Sequence, residues 1–278
     1  MAEAISVAGA TGVAVLAVVA LRGVGRGGET RADADVQHES EQNREVEPAR
    51  LAGAAQGDVI VRKLKVSTFL TLDGVMQAPG GPDEDRSGGF THGGWSVGYW
   101  DDRMGQVMGD FMARPFELLL GRTTYEIFAA HWPHSTEPGA EVLNGARKHV
   151  ASRTLKNVEW NNSTLIKGDV PKYVSELKKQ SGSEIQVHGS GDLIQTLLRN
   201  DLVDEFHLWT FPVVLGSGKR LFAGGAIPAG LKIVDVTTSS TGVVIATYER
   251  AGEIKYGSFA LEEPSVAELE RRPKVASG

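Results

Sequence analysis

Hydrophobic and polar positions follow two periods along this chain. Short runs rich in Val, Ile, Leu and Phe, bounded by glycine or polar turns, predict strands. Stretches with an apolar residue every three or four positions predict helices. A first strand is expected over 61–72, ending in Thr71-Leu72-Asp73-Gly74. A helix is expected over 101–112, where Met104, Val107, Met108, Phe111 and Met112 form one stripe. Further strands are expected over 116–120, 148–151, 185–188 and 204–215. Helices follow the turns at Gly121 and Gly189, and another covers 170–180 with Val174 and Leu177 inward. Two alternating runs, 231–237 and 243–250, flank Ser239-Ser240-Thr241-Gly242 and predict a closing hairpin. Strands alternating with helices, then a hairpin, imply an α/β fold. The expected domain has a mostly parallel mixed central sheet, flanking helices and an antiparallel C-terminal hairpin. A Gly/Pro-rich stretch over 79–98 is long for a loop in a compact domain, which marks it as functional or mobile.

The first sixty residues break this pattern. Residues 5–21 (Ile5 to Leu21) are uncharged and near the lower length limit for a membrane span. Arg22 and Arg26 follow, which would leave the downstream side in the cytoplasm if the segment inserted. Residues 27–57 are polar and charged, the composition of a disordered linker. Two alternatives stand for residues 1–60: a single membrane anchor, or a dispensable extension of a cytoplasmic protein. The shortness of the run and its Gly and Ala content favour the extension. Residues 61–250 form the expected folded domain and 251–278 a tail.

Composition narrows the classes. The 278 residues are 41% hydrophobic, enough for a real core, and the net charge of −6 argues against nucleic acid as a partner. The absence of cysteine excludes disulfides and thiolate metal sites.

The candidate chemistry lies at strand ends. Gly189-Ser190-Gly191-Asp192 joins a short strand to a helix beginning with Leu193. Glycines there let the backbone approach a ligand, and the free N–H groups of the new helix point at it. This is either a phosphate cradle or a tight turn with no ligand. The third glycine of a dinucleotide fingerprint would fall at Ile194, so any dinucleotide binds on another scaffold. Gly121-Arg122-Thr123-Thr124 repeats the arrangement, and Ser152-Arg153 adds a hydroxyl and a guanidinium suited to a phosphate monoester. In a parallel sheet all three sets lie beyond the carboxyl ends of the strands, where ligands bind. A ligand with a pyrophosphate and a separate phosphate would use the whole set, and NADPH is such a ligand. Asp73 either relays a proton to the substrate or forms its Asp-Gly turn. Trp95 and Trp100 either cover a flat heterocycle or pack their own loop. His131 and His134, two histidines without a third ligand, are expected on the surface, and no metal is expected.

These motifs together resemble the dihydrofolate reductase superfamily. The chain is most similar to the reductase domain of the riboflavin-pathway deaminase–reductase and its free-standing bacterial relatives. The resemblance runs through Thr71-Leu72-Asp73-Gly74, Leu120-Gly121-Arg122-Thr123-Thr124-Tyr125, Ala151-Ser152-Arg153-Thr154 and His188-Gly189-Ser190-Gly191-Asp192-Leu193. Asp201-Leu202-Val203-Asp204-Glu205 and the segment from Pro212 to Phe222 complete it. It implies NADPH as cofactor, a small-molecule substrate and a homodimer. The activity it implies resembles reduction of 5-amino-6-(5-phosphoribosylamino)uracil. The alternatives are a dihydrofolate or pterin reductase and a non-catalytic nucleotide-binding relative. The resemblance points to Asp73, with Gly74, at the substrate side. Where the folate enzyme has an acid on its first long helix, this chain offers Asp101 and Asp102.

Overall fold

The structure, a computed structural model, describes residues 61–222 and 227–276. The expectations for residues 1–60 lie outside the described residues. Among those described, no helix is long and apolar enough to cross a membrane.

One eight-stranded sheet organises the chain. Six strands run parallel: β1 (Leu64–Thr71), β2 (Phe116–Gly121), β3 (Arg147–Ala151), β4 (Ser163–Ile166), β5 (Glu184–His188) and β6 (Glu205–Phe211). The hairpin β7 (Leu231–Thr238) and β8 (Val244–Arg250) adds antiparallel to β6. The spatial order is β4-β3-β2-β5-β1-β6-β8-β7, so β1 sits at the centre. Helices covering both faces explain why β1 and β2 are buried almost throughout.

Among the described residues there are six α-helices: α1 (Asp102–Met112), α2 (Arg122–His131), α3 (Ala140–Gly145), α4 (Val170–Lys179) and α5 (Gly191–Arg199), with α6 (Val266–Ala276) in the C-terminal tail. On one face Val174 and Leu177 of α4 and Leu193, Ile194, Leu197 and Leu198 of α5 pack on β1, β5 and β6. On the other, Met104 and Met108 of α1 meet Phe69, Trp209 and Phe211. Side-chain caps start two helices. Asp101 accepts the Met104 N–H at 2.9 Å, and Asp169 accepts the Lys172 N–H at 2.9 Å.

Several boundaries differ from expectation. The strand expected to reach residue 215 stops at Phe211, because Pro212 has no N–H to continue a ladder. β4 and α3 are additional, and α6 lies within the expected tail. β6 is an interior strand, paired with β1 and β8, so it offers no edge for association. The two edge strands among those described are β4 and β7, and β7 is exposed on both faces rather than alternating.

Candidate active site

Two glycine turns are bolted together at the carboxyl ends of β2 and β5. Ser190 Oγ accepts the Gly121 N–H at 2.9 Å and donates its own proton to Thr124 Oγ1 at 2.8 Å. The approach favours Gly121, because a Cβ there would meet Ser190 Cβ and Oγ at a tight 3.1 Å. It also holds Ser190 in the left-handed region (φ 67°, ψ 59°), which a non-glycine residue adopts at a cost of about 1–3 kcal/mol. Strain of this kind collects at ligand sites. The first-turn N–H groups of α2 and α5 have no partner within their helices. Both helix starts therefore present donors and a positive dipole end toward one space.

That space is a cavity of about 1030 Å³. All eleven residues expected to hold a cofactor line it: those of 121–124 and 189–193, with Ser152 and Arg153. Ser152 Oγ accepts the N–H groups of Thr154 (3.1 Å) and Leu155 (3.0 Å), fixing the turn after β3. Arg122 Nη1 donates to Thr154 Oγ1 at 3.0 Å, and Arg122 Nε lies 3.6 Å from Glu126 Oε2. The exposed Arg153 guanidinium has no ion pair with the described residues.

The cavity continues to residues that were not among the expected site residues. These include Ser67, Thr68 and Phe69 of β1, the 76–80 segment, Glu84, Asp85, His188 and Lys219. His188 ends a polar line along β5. Glu184 Oε1 accepts the Gln186 amide N–H at 2.7 Å, so Gln186 turns its carbonyl oxygen to His188 Nε2 at 3.0 Å. Nε2 therefore carries the proton, and Nδ1 is a buried acceptor without a partner among the described residues. Burial, with His207 nearby, pushes the His188 pKa down to about 4, so the ring is neutral.

The remaining expected site residues lie elsewhere. Asp73 is not in the cavity wall. Its carboxylate accepts Thr71 Oγ1 (2.6 Å), the N–H groups of Leu215 (3.2 Å) and Gly216 (2.9 Å), and Arg220 Nη2 (3.1 Å). These bonds, the Thr71 hydroxyl foremost, hold its pKa far below the usual carboxylate range. These four donors tie the Asp73 carboxylate into the turn between β1 and the 215–220 segment. Gly74 (φ 79°) completes that turn, outside the cavity. Trp95 donates Nε1 to the Gln77 carbonyl at 2.8 Å and packs edge-on against Phe211. Trp100 stacks on Trp209 with ring centroids 6.0 Å apart. Packing, rather than contact with the cavity, describes both. Asp101 is used as the α1 cap and also accepts the Ser240 N–H at 2.7 Å. His131 packs on Trp132. No group of three or more potential metal ligands assembles among the described residues.

Residues 62–245 match the family model described as the RibD C-terminal domain. The chain is 31% identical to the uncharacterized protein YyaP of Bacillus subtilis over 196 residues, covering 69% of this chain and 96% of that protein. It is 28% identical to the uncharacterized protein YwjB of the same organism over 116 residues, 41% of this chain and 62% of that one. Among solved structures, a putative riboflavin biosynthesis protein from Shewanella sp. PV-4 aligns at 22% identity. That alignment covers 68% of this chain and 98% of that one, with a TM-score of 0.48. Dihydrofolate reductase from Enterococcus faecalis, complexed with NADP(H), aligns at 11% identity over 68% and 96%, with a TM-score of 0.45.

Proposed function

The chain belongs to the RibD C-terminal domain family, and from that premise we propose that it is an NADPH-dependent reductase. Its substrate on this reading is a small heterocycle of the ribosylaminopyrimidine or pterin kind. The observation that carries the reading is the convergence of three strand-end motifs, from β2, β3 and β5, on one cavity. Each motif alone is equally a plain turn; their sharing one space with free N–H donors and an unpaired arginine is what a polyphosphate ligand needs. The volume lies at the upper end of ordinary small-molecule sites, about 1,000 Å³, which is room for a ligand of dinucleotide size.

The residues present fit the cofactor. The α2 and α5 first turns would hold the pyrophosphate through backbone N–H groups, with the Thr123 and Thr124 hydroxyls beside them. Arg153 and Arg122 would hold the further phosphate that distinguishes NADPH. When bound, the cofactor supplies a hydride. The substrate would enter the part of the cavity bounded by Ser67, Thr68 and the 76–80 segment.

The test is a pair of NADPH and NADH titrations followed by cofactor oxidation assays. The acceptors are 5-amino-6-(5-phosphoribosylamino)uracil and dihydrofolate. Tight NADPH binding with oxidation by one acceptor is expected. Binding without oxidation would favour a non-catalytic nucleotide-binding role, and absence of binding would refute the proposal.

A further inference from the structure

Four carboxyl groups line the cavity: Glu84, Asp85, Asp169 and Asp192. Asp85 pairs with Lys219 at 2.7 Å and accepts the Ser87 hydroxyl at 2.6 Å. Burial works against its ionisation, yet these bonds prevail and lower its pKa. Asp169 caps α4. Asp192 stands in the first turn of α5.

Glu84 is different. Its Oε2 accepts the Gly80 N–H at 2.6 Å, and no cation pairs with it among the described residues. Its charged neighbours are Asp85, already paired with Lys219, and Asp83, paired with Arg86 at 2.5 Å. Burial, opposed by the Gly80 and Gly81 N–H groups and assisted by the Asp85 charge, pushes its pKa up to about 7. Its segment is also anchored on both sides. Gln77 Nε2 donates to the carbonyls of Asp85 (3.1 Å) and Ser87 (2.9 Å), and Gln77 Oε1 accepts the Lys219 N–H at 3.0 Å. Ser96 Oγ ties down the Pro79 carbonyl at 2.8 Å. A carboxyl in a cavity wall, held by a hydrogen-bonded frame and lacking a counter-ion, is placed to give a proton to a ligand.

Resting on the reductase reading above, we propose that Glu84 is the acid of this site, delivering its carboxyl proton to the substrate atom beside the one that receives the hydride. For a C=N acceptor the π bond breaks, a C–H bond forms from the hydride and an N–H bond forms from the Glu84 proton. The dihydronicotinamide is oxidised, the C=N bond is reduced, and the Glu84 carboxylate regains its proton from water. Neither His188, which is neutral, nor Asp73, which lies outside the cavity, competes for this role.

The experiment uses the full chain, Glu84→Gln and Glu84→Asp, each checked for folding by circular dichroism. NADPH affinity is expected to agree within about twofold among the three, because the phosphate-binding turns are untouched. The infrared band of a protonated carboxyl is expected in the unmodified chain, disappearing as pH rises through about 7 and absent from Glu84→Gln. With the two acceptors above, the unmodified chain should lose rate on the alkaline side. Glu84→Gln should lose roughly 10²–10⁴-fold in kcat along with that limb, while Glu84→Asp keeps the limb. Unchanged kcat and pH profile in Glu84→Gln, or a carboxyl titrating in the ordinary range, would overturn the proposal. So would NADPH binding with no turnover of either acceptor. Failure of the unmodified chain to bind NADPH would overturn the reductase reading first, and the proposal with it.

Discussion

Ser190 and Gly121 join two turns that are 69 positions apart in sequence: the serine hydroxyl accepts the glycine N–H at 2.9 Å while donating to Thr124. The bond sets the spacing of two helix N-termini, so it controls where two sets of phosphate donors stand. Ser190→Ala leaves the Gly121 N–H without its acceptor, which costs about 1–3 kcal/mol for a group shielded from water. It also keeps a side chain in the left-handed region. Ser190→Gly loses the same bond but relieves the backbone strain. Both variants should bind NADPH more weakly, and Ser190→Gly should melt higher than Ser190→Ala. Thermal unfolding and NADPH titration of the two variants check this. Equal melting temperatures would mean the left-handed serine carries no strain.

Asp73 is expected to matter for stability rather than for the chemical step. Its folded pKa lies well below the unfolded value of 3.8. A depressed carboxylate contributes stability that is fully present above the unfolded pKa and is lost as pH falls toward the folded one. Asp73→Asn should therefore lower the urea midpoint at neutral pH, and the gap to the unmodified chain should shrink below about pH 4. Cofactor affinity should change little, since Asp73 does not line the cavity. A gap that widens on acidification would refute the assignment.

The strands, the first helix and the three strand-end motifs were legible because each is a local pattern. Apolar runs, 3.6-residue stripes and glycine–hydroxyl turns need no knowledge of distant residues. The residues whose two readings stayed open in the sequence depend on long-range partners. Nothing near Asp73 in sequence shows that Arg220, 147 positions away, meets its carboxylate. Nothing near Trp100 shows that Trp209 lies flat against it. Glu84 was missed for a related reason. In Pro82-Asp83-Glu84-Asp85 all three acids look equally solvated, and only the folded loop turns one of them into the cavity without a cation. β4 is four residues long and begins Ser163-Thr164, too short and polar for the strand signal.

The β7 edge of the sheet bears on assembly. β7 exposes Ile233 (58%), Val234 (49%) and Val236 (52%), and its outer backbone groups face no strand among those described. Such an edge pairs readily with another strand, and the nearest identical one belongs to a second copy. We propose a homodimer formed through this hairpin. Light scattering at micromolar concentration should give twice the chain mass, and Ile233→Lys with Val236→Lys should give a monomer. A monomeric unmodified chain would refute the dimer, and a dimer surviving both substitutions would place its interface elsewhere.

Cofactor choice rests on Arg153. NADPH differs from NADH by one phosphate, which carries close to two negative charges near neutral pH. Arg153 lines the cavity, follows the fixed Ser152 turn and has no ion-pair partner among the described residues, so no existing bond is broken when an anion arrives. Arg122 also lines the cavity, but its guanidinium already serves Thr154 and lies 3.6 Å from Glu126. A charge-assisted hydrogen bond contributes roughly 1.5–3 kcal/mol, or about ten- to hundredfold in affinity. Arg153→Ala should therefore weaken NADPH binding by about that factor and leave NADH nearly unchanged, whereas Arg122→Ala should weaken both. Paired titrations of both cofactors against the unmodified chain and the two variants decide it. Equal losses for NADPH and NADH in Arg153→Ala would mean that Arg153 meets the shared pyrophosphate, and the phosphate that sets the preference would then have to be held elsewhere in the cavity, by Arg122 or by Arg199 at the end of α5.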